Sequence, residues 1–491
     1  MELQRSIIVQ ETVSRTAEDV TPLCELAKGF EEAGEFEEAF ETLRPFWKQL
    51  GERPLTSGLS TEAEAELLLR SGTLTGWLGA AKQIPATQEL AKDLISESAA
   101  LFAKAGSTDK VAEAHVDLAI CYWRQGAVDE ARVTLKHVLE TLGESKSEQR
   151  LRALLNIAII EKNATRDLEA LRIYKQAAPL FEESSNHALK GKFHNSYATL
   201  LRSLGFSENR EEYIDNALVE FTAASFHFEK AGHKRFQGRV ENNVGFLFAS
   251  LRRFPEAHEH LNRARSVLLS VGDQGGVAGC DDARAQAFLL EGKNTEAEKT
   301  AANAVRNLMA GEEHTILAEA LTTHGKALAR IQNHEVAKTR LDRAIEVARS
   351  AGDSERAGIA AVSAIEELGS KLSSNLLLEY YQTAESLLAN SQNSGLKARL
   401  GQCARTVLSV SLESDRSIPT TGLSLEEEVL KYEANLIRKA LQQTGGSVTR
   451  AARLLGVTHQ GLAFILNGRH SDLLAIRTPV KRRRKSIIRF H

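Results

Sequence analysis

An alanine recurs at a nearly constant distance along most of this 491-residue chain. From Ala91 onward the steps are 40, 39, 47, 40, 40 and 40 residues, and Ala39 is an earlier copy. Apolar or small residues follow after four and seven positions, as Leu261 and Ala264 follow Ala257, so the three side chains share one helix face. A second small residue stands twelve positions before most copies, at Gly79, Ala119, Ala158, Gly245, Ala285 and Gly325. Small residues at fixed offsets predict closely packed, antiparallel helix pairs.

The composition also favours helices. The chain has only eight prolines and 6% aromatic residues, and Ala, Leu, Glu, Lys and Arg, which favour helices, are abundant. It is too long for one compact domain. A plain helical bundle would not keep a near-constant spacing over six intervals, so we expect an all-α fold built as an elongated repeat array.

The pattern resembles the tetratricopeptide repeat in its longer form of about 40 residues, most clearly in residues 115–139 and 241–268. The resemblance spans about residues 20–392, with an insertion in the 47-residue step and a degenerate last copy. It implies an α-solenoid of about nine repeats over residues 20–410, after an N-terminal segment at 1–19. It also implies a concave face, lined by the first helix of each pair, that binds a peptide or protein partner.

Three consecutive first helices carry polar residues at matching offsets, which we call the polar column. Its members form pairs one helical turn apart, at Arg152, Asn156, Lys192, Ser196, Arg239 and Asn243. Tetratricopeptide grooves that hold a peptide carboxylate use amides and cations in such columns, the amide bonding to peptide backbone and the cation to acid groups. We expect the polar column to bind the partner. The alternative interpretation is an ordinary solvated helix face.

The repeat pattern stops before a polar linker with Pro and Gly, predicted at residues 411–423. Three helices are predicted in the module that follows, residues 424–470, with a tight turn between the last two. A helix-turn-helix needs a small residue in its first short helix, a Gly at the turn and an apolar anchor in the second helix. Ala452, Gly456 and Leu462 stand at those positions. Residues 471–491 are predicted to be a basic tail.

Charge is distributed unevenly along the chain. From Leu436 to the end there are twelve Lys or Arg residues against the single Asp472, a charge of +11, whereas the whole chain carries −3. The remainder therefore carries −14. Such asymmetry is typical of a nucleic-acid contact attached to an acidic body.

Residues 425–468 closely resemble the Fis-type domain, which occurs alone in the factor for inversion stimulation and at the C-terminus of NtrC-type activators. The resemblance lies in TRAARLLGV and in the long helix ending KALQQTGG. It implies binding to double-stranded DNA, with a possible homodimer formed through this module. A last repeat hairpin is the alternative, but it explains neither the charge reversal nor the six-residue step between Ala451 and Val457.

The second short helix departs from the family. Fis-type recognition helices carry Arg and Lys where this chain has Ala463, Phe464 and Ile465. Gln can bond an adenine edge with two hydrogen bonds, and apolar side chains can contact a thymine methyl, so base readout is still possible. Phosphate contacts must then come from other residues. The predicted DNA-binding residues are Arg450, Thr458, His459, Gln460, Arg469, Lys481, Arg482, Arg483, Arg484 and Lys485.

Enzymatic motifs are missing from the sequence. There is no phosphate-binding G-x-x-x-x-G-K-[ST], no G-x-S-x-G, no H-E-x-x-H and no C-x-x-C. Four distant cysteines have no metal-ligand spacing and are expected to be small buried residues in a reducing cytoplasm. No stretch is apolar enough for a signal peptide or a membrane span. We expect no catalysis, cofactor, metal or membrane association.

These observations favour a cytoplasmic, DNA-binding transcriptional regulator whose solenoid receives a peptide or protein. The alternative is an interaction scaffold whose vestigial helix-turn-helix serves dimerisation or nonspecific nucleic-acid binding.

Deletion of residues 481–491 is expected to weaken binding to all DNA duplexes alike. The slope of log affinity against log salt should become shallower by about 0.9 for each phosphate that the tail no longer neutralises. Filter binding or gel shifts over a salt series measure this slope. An unchanged slope would show that the tail neutralises no phosphate.

Overall fold

A computed structural model describes residues 20–164, 166–414 and 425–476. The chain divides into two compact units, Met1–Ser411 and Leu412–His491. The described residues of the first unit form helices in antiparallel pairs, and those of the second form a small three-helix module. Among the described helices, none combines the length and apolar character that crossing a membrane requires.

Nine helix pairs and one further helix make up the described part of the first unit. In chain order, helices α1 to α19 are Val20–Ala33, Phe36–Leu43, Thr61–Lys82, Thr87–Lys104, Thr108–Arg124, Val128–Leu142, Glu148–Asn163, Asp167–Glu183, His187–Glu208, Glu211–Lys230, Lys234–Ser250, Phe254–Ser270, Gln274–Glu291, Asn294–Leu308, His314–Arg330, His334–Ser350, Ser354–Leu368, Ser374–Leu387 and Ser394–Ser414. A short 3-10 helix, Gly369–Lys371, lies between α17 and α18.

The recurring small residues lie where the helices of a pair touch. All eight periodic alanines, from Ala39 to Ala337, are fully buried. A Cβ added to Gly245 would lie 2.7 Å from Leu261, and one added to Gly325 would lie 2.6 Å from Leu341. Since real Cβ atoms do not approach so closely, any larger residue would force the two helices apart. The predicted tetratricopeptide-like solenoid is confirmed.

The solenoid turns back on itself. Arg235 Nη2 lies 3.2 Å from Glu37 Oε2, 198 residues away in the chain. Gln83 Nε2 donates to Glu313 Oε2 at 3.0 Å across 230 residues, and the Trp77 and Phe236 ring centroids are 6.1 Å apart. These separations correspond to about five 40-residue repeats. Successive superhelical turns are therefore in contact, and their inner helices enclose a central space.

The four cysteines are buried and unpaired, as expected for small residues in the helix interfaces. Burial raises the pKa of the Cys121 thiol to about 12. At neutral pH this side chain therefore stays a protonated, weakly reactive thiol.

The second unit contains α20 (Leu425–Gln443), α21 (Val448–Leu454), α22 (His459–Asn467) and a 3-10 helix, Ser471–Ile476. Leu462 and Leu466 of α22 pack with Ala451, Ala452 and Leu441 in one core. Leu473 is also buried in this core. The packed structure thus extends past residue 470, where the sequence analysis placed its end, because the 3-10 helix supplies another apolar contact.

Replacing Gly126 with Ala is expected to destabilise the contact between superhelical turns. Gly126 has φ +85°, and an added Cβ would lie 1.7 Å from the carbonyl oxygen of Ala351. Gly106 is the matched control, because its φ is +73° but an added Cβ meets nothing within 4 Å. Conformational strain should cost about 1 kcal/mol in both variants. The clash in Gly126→Ala should add about 1–3 kcal/mol.

Urea denaturation followed by circular dichroism compares the unfolding midpoints of the two variants. Equal midpoints for Gly126→Ala and Gly106→Ala would contradict a packed contact at Ala351.

Candidate functional site

All six residues of the polar column line one cavity inside the solenoid, of about 430 Å³. The six side chains are half-buried. They project from α7, α9 and α11, one pair of residues from each helix. Because equivalent helices repeat at nearly the same spacing, equal offsets in sequence place these residues side by side. We call this space the central cavity.

Two cations of the polar column already hold buried acids. Arg152 forms an ion pair with Asp117, whose side chain is 4% exposed. Arg239 Nη2 lies 3.3 Å from Asp273 Oδ2, and Asp273 is 1% exposed. A buried carboxylate without a cation would be costly. These two arginines therefore stabilise the fold as well as lining the cavity.

Lys192 differs from the two arginines. Within the described residues its ammonium has no carboxylate partner, and it lies 5.1 Å from the centroid of the Phe236 ring. Burial, followed by repulsion from Arg152, lowers the pKa of Lys192 to about 8. At neutral pH it is still mostly charged. Lys192 is therefore the cation of the polar column that is available to an anionic group.

The amides of the polar column point both to their own helix and across the cavity wall. Asn156 Nδ2 donates to the Arg152 carbonyl at 2.8 Å, and Asn243 Nδ2 donates to Asn195 Oδ1 at 2.9 Å. Neighbouring Asn242 has a buried Oδ1 without a hydrogen-bond partner. The wall thus carries several amide groups, which can both donate and accept hydrogen bonds.

Several lining residues were not predicted from the sequence. Trp77, Trp123, Phe236 and Leu155 form apolar walls, and Glu313 adds an acid. Trp77 comes from α3 and Glu313 precedes α15, so neither lies in a helix that carries the polar column. Asn195 and Asn242, each one position before a member of the polar column, were the residues that the sequence signal could have found.

A second charged network lies beside the central cavity. The buried Arg70 guanidinium contacts Glu31 at 2.7 Å and Glu113 at 2.6 Å, and Lys28 reaches Glu113 at 2.9 Å. These cations hold the pKa of Glu113 well below its usual range despite the opposing effect of burial, which is the largest single influence. The network joins α1, α3 and α5 on the inner side of the solenoid.

The C-terminal module has the geometry of a helix-turn-helix. Gly456 takes φ +68° in the turn between α21 and α22, a conformation that favours Gly. The Thr458 hydroxyl caps α22 by accepting from the Gly461 amide at 3.0 Å. Leu462 then anchors the helix in the core at 1% exposure. The role that the structure gives Thr458 is therefore capping, which positions the first turn of α22.

The outer face of α22 carries few charges. His459, Gln460, Phe464 and Asn467 are exposed on it, and Phe464 is 81% exposed. Phe464 and Asn467 lie four and seven positions after Gln460, so the three residues form one stripe along the helix. Amides, an aromatic ring and the His459 imidazole are therefore the groups that this helix presents.

The basic residues of the module differ in their partners. Arg450 is exposed at the start of α21, whereas Arg469 Nε lies 3.2 Å from Glu433 Oε2. His470 also approaches Glu433, at 2.8 Å. Arg469 must leave or share this carboxylate to reach a phosphate. The predicted tail contacts, Lys481, Arg482, Arg483, Arg484 and Lys485, lie outside the described residues.

A sequence model described as "bacterial regulatory protein, Fis family" matches residues 431–463. The match covers most of α20, all of α21 and the first half of α22, the same segment whose packing was described above. The C-terminal module is a Fis-type helix-turn-helix. The predicted Fis resemblance is thereby confirmed, and no curated protein sequence matches the chain significantly.

Solved structures resemble the solenoid. A Rap protein complexed with competence and sporulation factor is similar over 79% of this chain and 100% of its own, with 14% identity and a TM-score of 0.55. Yeast Tom70 matches 80% of this chain and 82% of its own, with 13% identity and a TM-score of 0.42. A STAND protein with a tetratricopeptide repeat sensor, from Pyrococcus horikoshii, matches 80% of this chain and 66% of its own, with 13% identity and a TM-score of 0.40. Identity this low shows the fold alone.

Proposed function

We propose that this protein is a DNA-binding transcriptional regulator controlled by a peptide or protein segment that binds inside its solenoid. The observation that carries the proposal is the combination, in one chain, of a Fis-type helix-turn-helix with a solenoid that encloses a cavity lined by the polar column. We further propose that the regulator is not an enzyme and acts in the cytoplasm.

The central cavity supports the ligand half of the proposal. Its apolar walls, amides and single unpaired cation at Lys192 suit an extended peptide with an acidic group. The Rap protein, which has a similar fold, was crystallised with competence and sporulation factor. An occupant of the central cavity would touch helices from several repeats at once, so its binding can alter their relative positions.

The exposed stripe on α22 supports the DNA half. The N-terminal turn of a recognition helix reaches base edges in the major groove, and Gln460 is exposed there. Gln and Asn form paired hydrogen bonds with adenine, and an aromatic ring can cover a thymine methyl. Gln460, Phe464 and Asn467 therefore suit a site rich in A·T pairs, while Arg450 suits a phosphate.

A scaffold without sequence-specific DNA binding is the second candidate. Val429, Tyr432 and Leu436 are each more than 40% exposed on α20, and their offsets place them on one face. Such a face suits contact with another protein, including a second copy of this module. A gel shift with random duplexes and with RNA separates the candidates. Binding to RNA alone, or to neither, would favour the scaffold.

Lys192→Met is expected to weaken capture of the solenoid's partner about tenfold or more, because a charged hydrogen bond is worth about 1.5–3 kcal/mol. Since folding lowers the pKa of Lys192, its charged form is disfavoured in the fold, and the thermal midpoint should not fall. Exposed Lys175 on α8 provides the control Lys175→Met. Quantitative pull-down from cell extract and thermal melting measure the two effects.

Joint replacement of Arg152, Lys192 and Arg239 with Ala should abolish capture. It would also leave Asp117 without its cation and Asp273 with Arg235 alone, so this variant alone cannot separate binding from folding. Normal capture by Lys192→Met and by the triple variant would contradict a partner site at the polar column.

Gln460→Ala should cost about 1–3 kcal/mol on a preferred site selected from random DNA, with nonspecific binding barely changed. Arg450→Ala should instead weaken binding to all sequences alike, because a phosphate contact carries no base information. Gel-shift titrations on the selected site and on a scrambled duplex measure both variants. If selection returns no enriched motif for the intact protein, sequence-specific regulation is wrong.

A further inference from the structure

A second cavity of about 680 Å³ lies in the solenoid beyond the central cavity. Glu319 lines both spaces, but the two share no member of the polar column. Its lining contains six basic residues and two acidic ones, namely Lys162, Arg202, Lys326, Arg330, Arg356, Arg399, Glu319 and Glu355. We call it the basic cavity. The proposed peptide site assigns it no role.

Three of the six cations are already neutralised. Arg356 Nε lies 2.7 Å from Glu319 Oε1, which uses one of the two lining acids. Glu367 holds Arg330 at 2.8 Å, and Glu366 holds Arg399 at 2.7 Å. These arginines form part of the wall and leave little charge unbalanced.

The other three cations, Lys162, Arg202 and Lys326, have no hydrogen-bonded or ion-paired carboxylate anywhere in the described ranges. Arg202 Nη1 is buried without an acceptor, and its guanidinium lies 4.4 Å from the Phe246 ring centroid. Burial lowers the pKa of all three, that of Arg202 to about 10. Nearby acids, among them Glu319 for Arg202 and Glu367 for Lys326, partly offset these desolvated charges but form no ion pair with them, so burying the three cations still costs stability.

Glu355 does not balance them. It lies outside ion-pair distance of every described cation, and burial raises its pKa to about 7. At neutral pH a large fraction of this carboxyl group is therefore protonated. Asp167, another acid that acts on Lys162, also has a raised pKa because of burial. The lining itself contains six basic residues against two acidic ones, a composition that suits an anionic ligand.

The wall also has an apolar part. Phe206 is 44% exposed and Leu290 is 41% exposed, although both line the cavity. Phe246 and Ile359 complete this surface. Apolar side chains that face an interior space are suited to the organic part of a ligand, whereas the unpaired cations are suited to its charge.

We propose that the basic cavity binds a small organic phosphate, with its phosphate group held by Lys162, Arg202 and Lys326 and its apolar or aromatic portion against Phe206 and Phe246. A phosphate monoester carries close to two negative charges and three acceptor oxygens. Three unpaired cations match this better than they match a single carboxylate. The volume lies within the range of ordinary small-molecule pockets, about 300–1,000 Å³.

Isothermal titration of the full-length protein tests the proposal with three phosphate probes, namely AMP, phenyl phosphate and inorganic phosphate, and with adenosine as the uncharged control. We expect AMP and phenyl phosphate to bind more tightly than inorganic phosphate, and adenosine not to bind. Binding should also raise the thermal midpoint, because the ligand favours the folded state.

Arg202→Gln and Lys326→Gln should each weaken AMP binding about tenfold or more, since each removes a charged hydrogen bond. Lys104→Gln and Arg306→Gln remove exposed cations elsewhere on the solenoid and should bind AMP as the unaltered protein does. The two cavity variants should melt no lower than these controls, because they remove uncompensated buried charge.

Failure of all three phosphate probes to bind at millimolar concentration would overturn the proposal, as would equal affinity in the cavity and control variants. Neither result bears on the proposed regulator, because the DNA and partner assays use other residues. Conversely, loss of DNA binding would leave the titration outcome unchanged.

Discussion

The close approach of the two helices in each pair is the constraint on which the structure depends. At Gly245 and Gly325 the space for a side chain is already filled by Leu261 and Leu341 of the partner helix. The periodic alanines serve the same contact from the other helix and are fully buried. Because each pair packs in nearly the same way, each adds a similar rotation to the stack. Repetition of that rotation brings helices about five repeats apart into contact.

This curvature places charged side chains of the inner helices in enclosed spaces. Helix faces that would be solvated in an open solenoid line enclosed spaces here, and their charges must be balanced inside. Arg70 balances Glu31 and Glu113, and Arg239 balances Asp273. Lys192, Arg202 and Lys326 have no such partner within the described residues. The unbalanced cations are therefore the positions where the interior can gain free energy from a ligand.

Local and periodic features of the sequence predicted most of the fold. The spacing of Ala91 and its successors indicated the helix pairs, and the positions of Ala452, Gly456 and Leu462 indicated the helix-turn-helix. Both signals depend on residues that are close in sequence or separated by a fixed period. The matching offsets of the polar column likewise placed its members together in one cavity.

The remaining features depend on pairings between residues that neither local sequence marks as partners. The pairing of Gln83 with Glu313 spans 230 residues, and nothing in either local sequence marks the other as its partner. For the same reason the sequence did not predict the acids that Arg152 and Arg239 bind. It did not predict the basic cavity either, because the wall of this cavity combines residues from seven helices. The capping role of Thr458 was locally encoded, but the same residue type also suits a DNA contact.

The contacts between superhelical turns change how the solenoid can unfold. In an open repeat array each unit touches only its neighbours, so the ends can fray one pair at a time. Here the first pairs are also held by pairs about five repeats along the chain, through Arg235 and Glu37 and through Gln83 and Glu313. Fraying of α1 and α2 must therefore break bonds to the middle of the chain. We therefore expect the solenoid to unfold more cooperatively than an open repeat array of the same length.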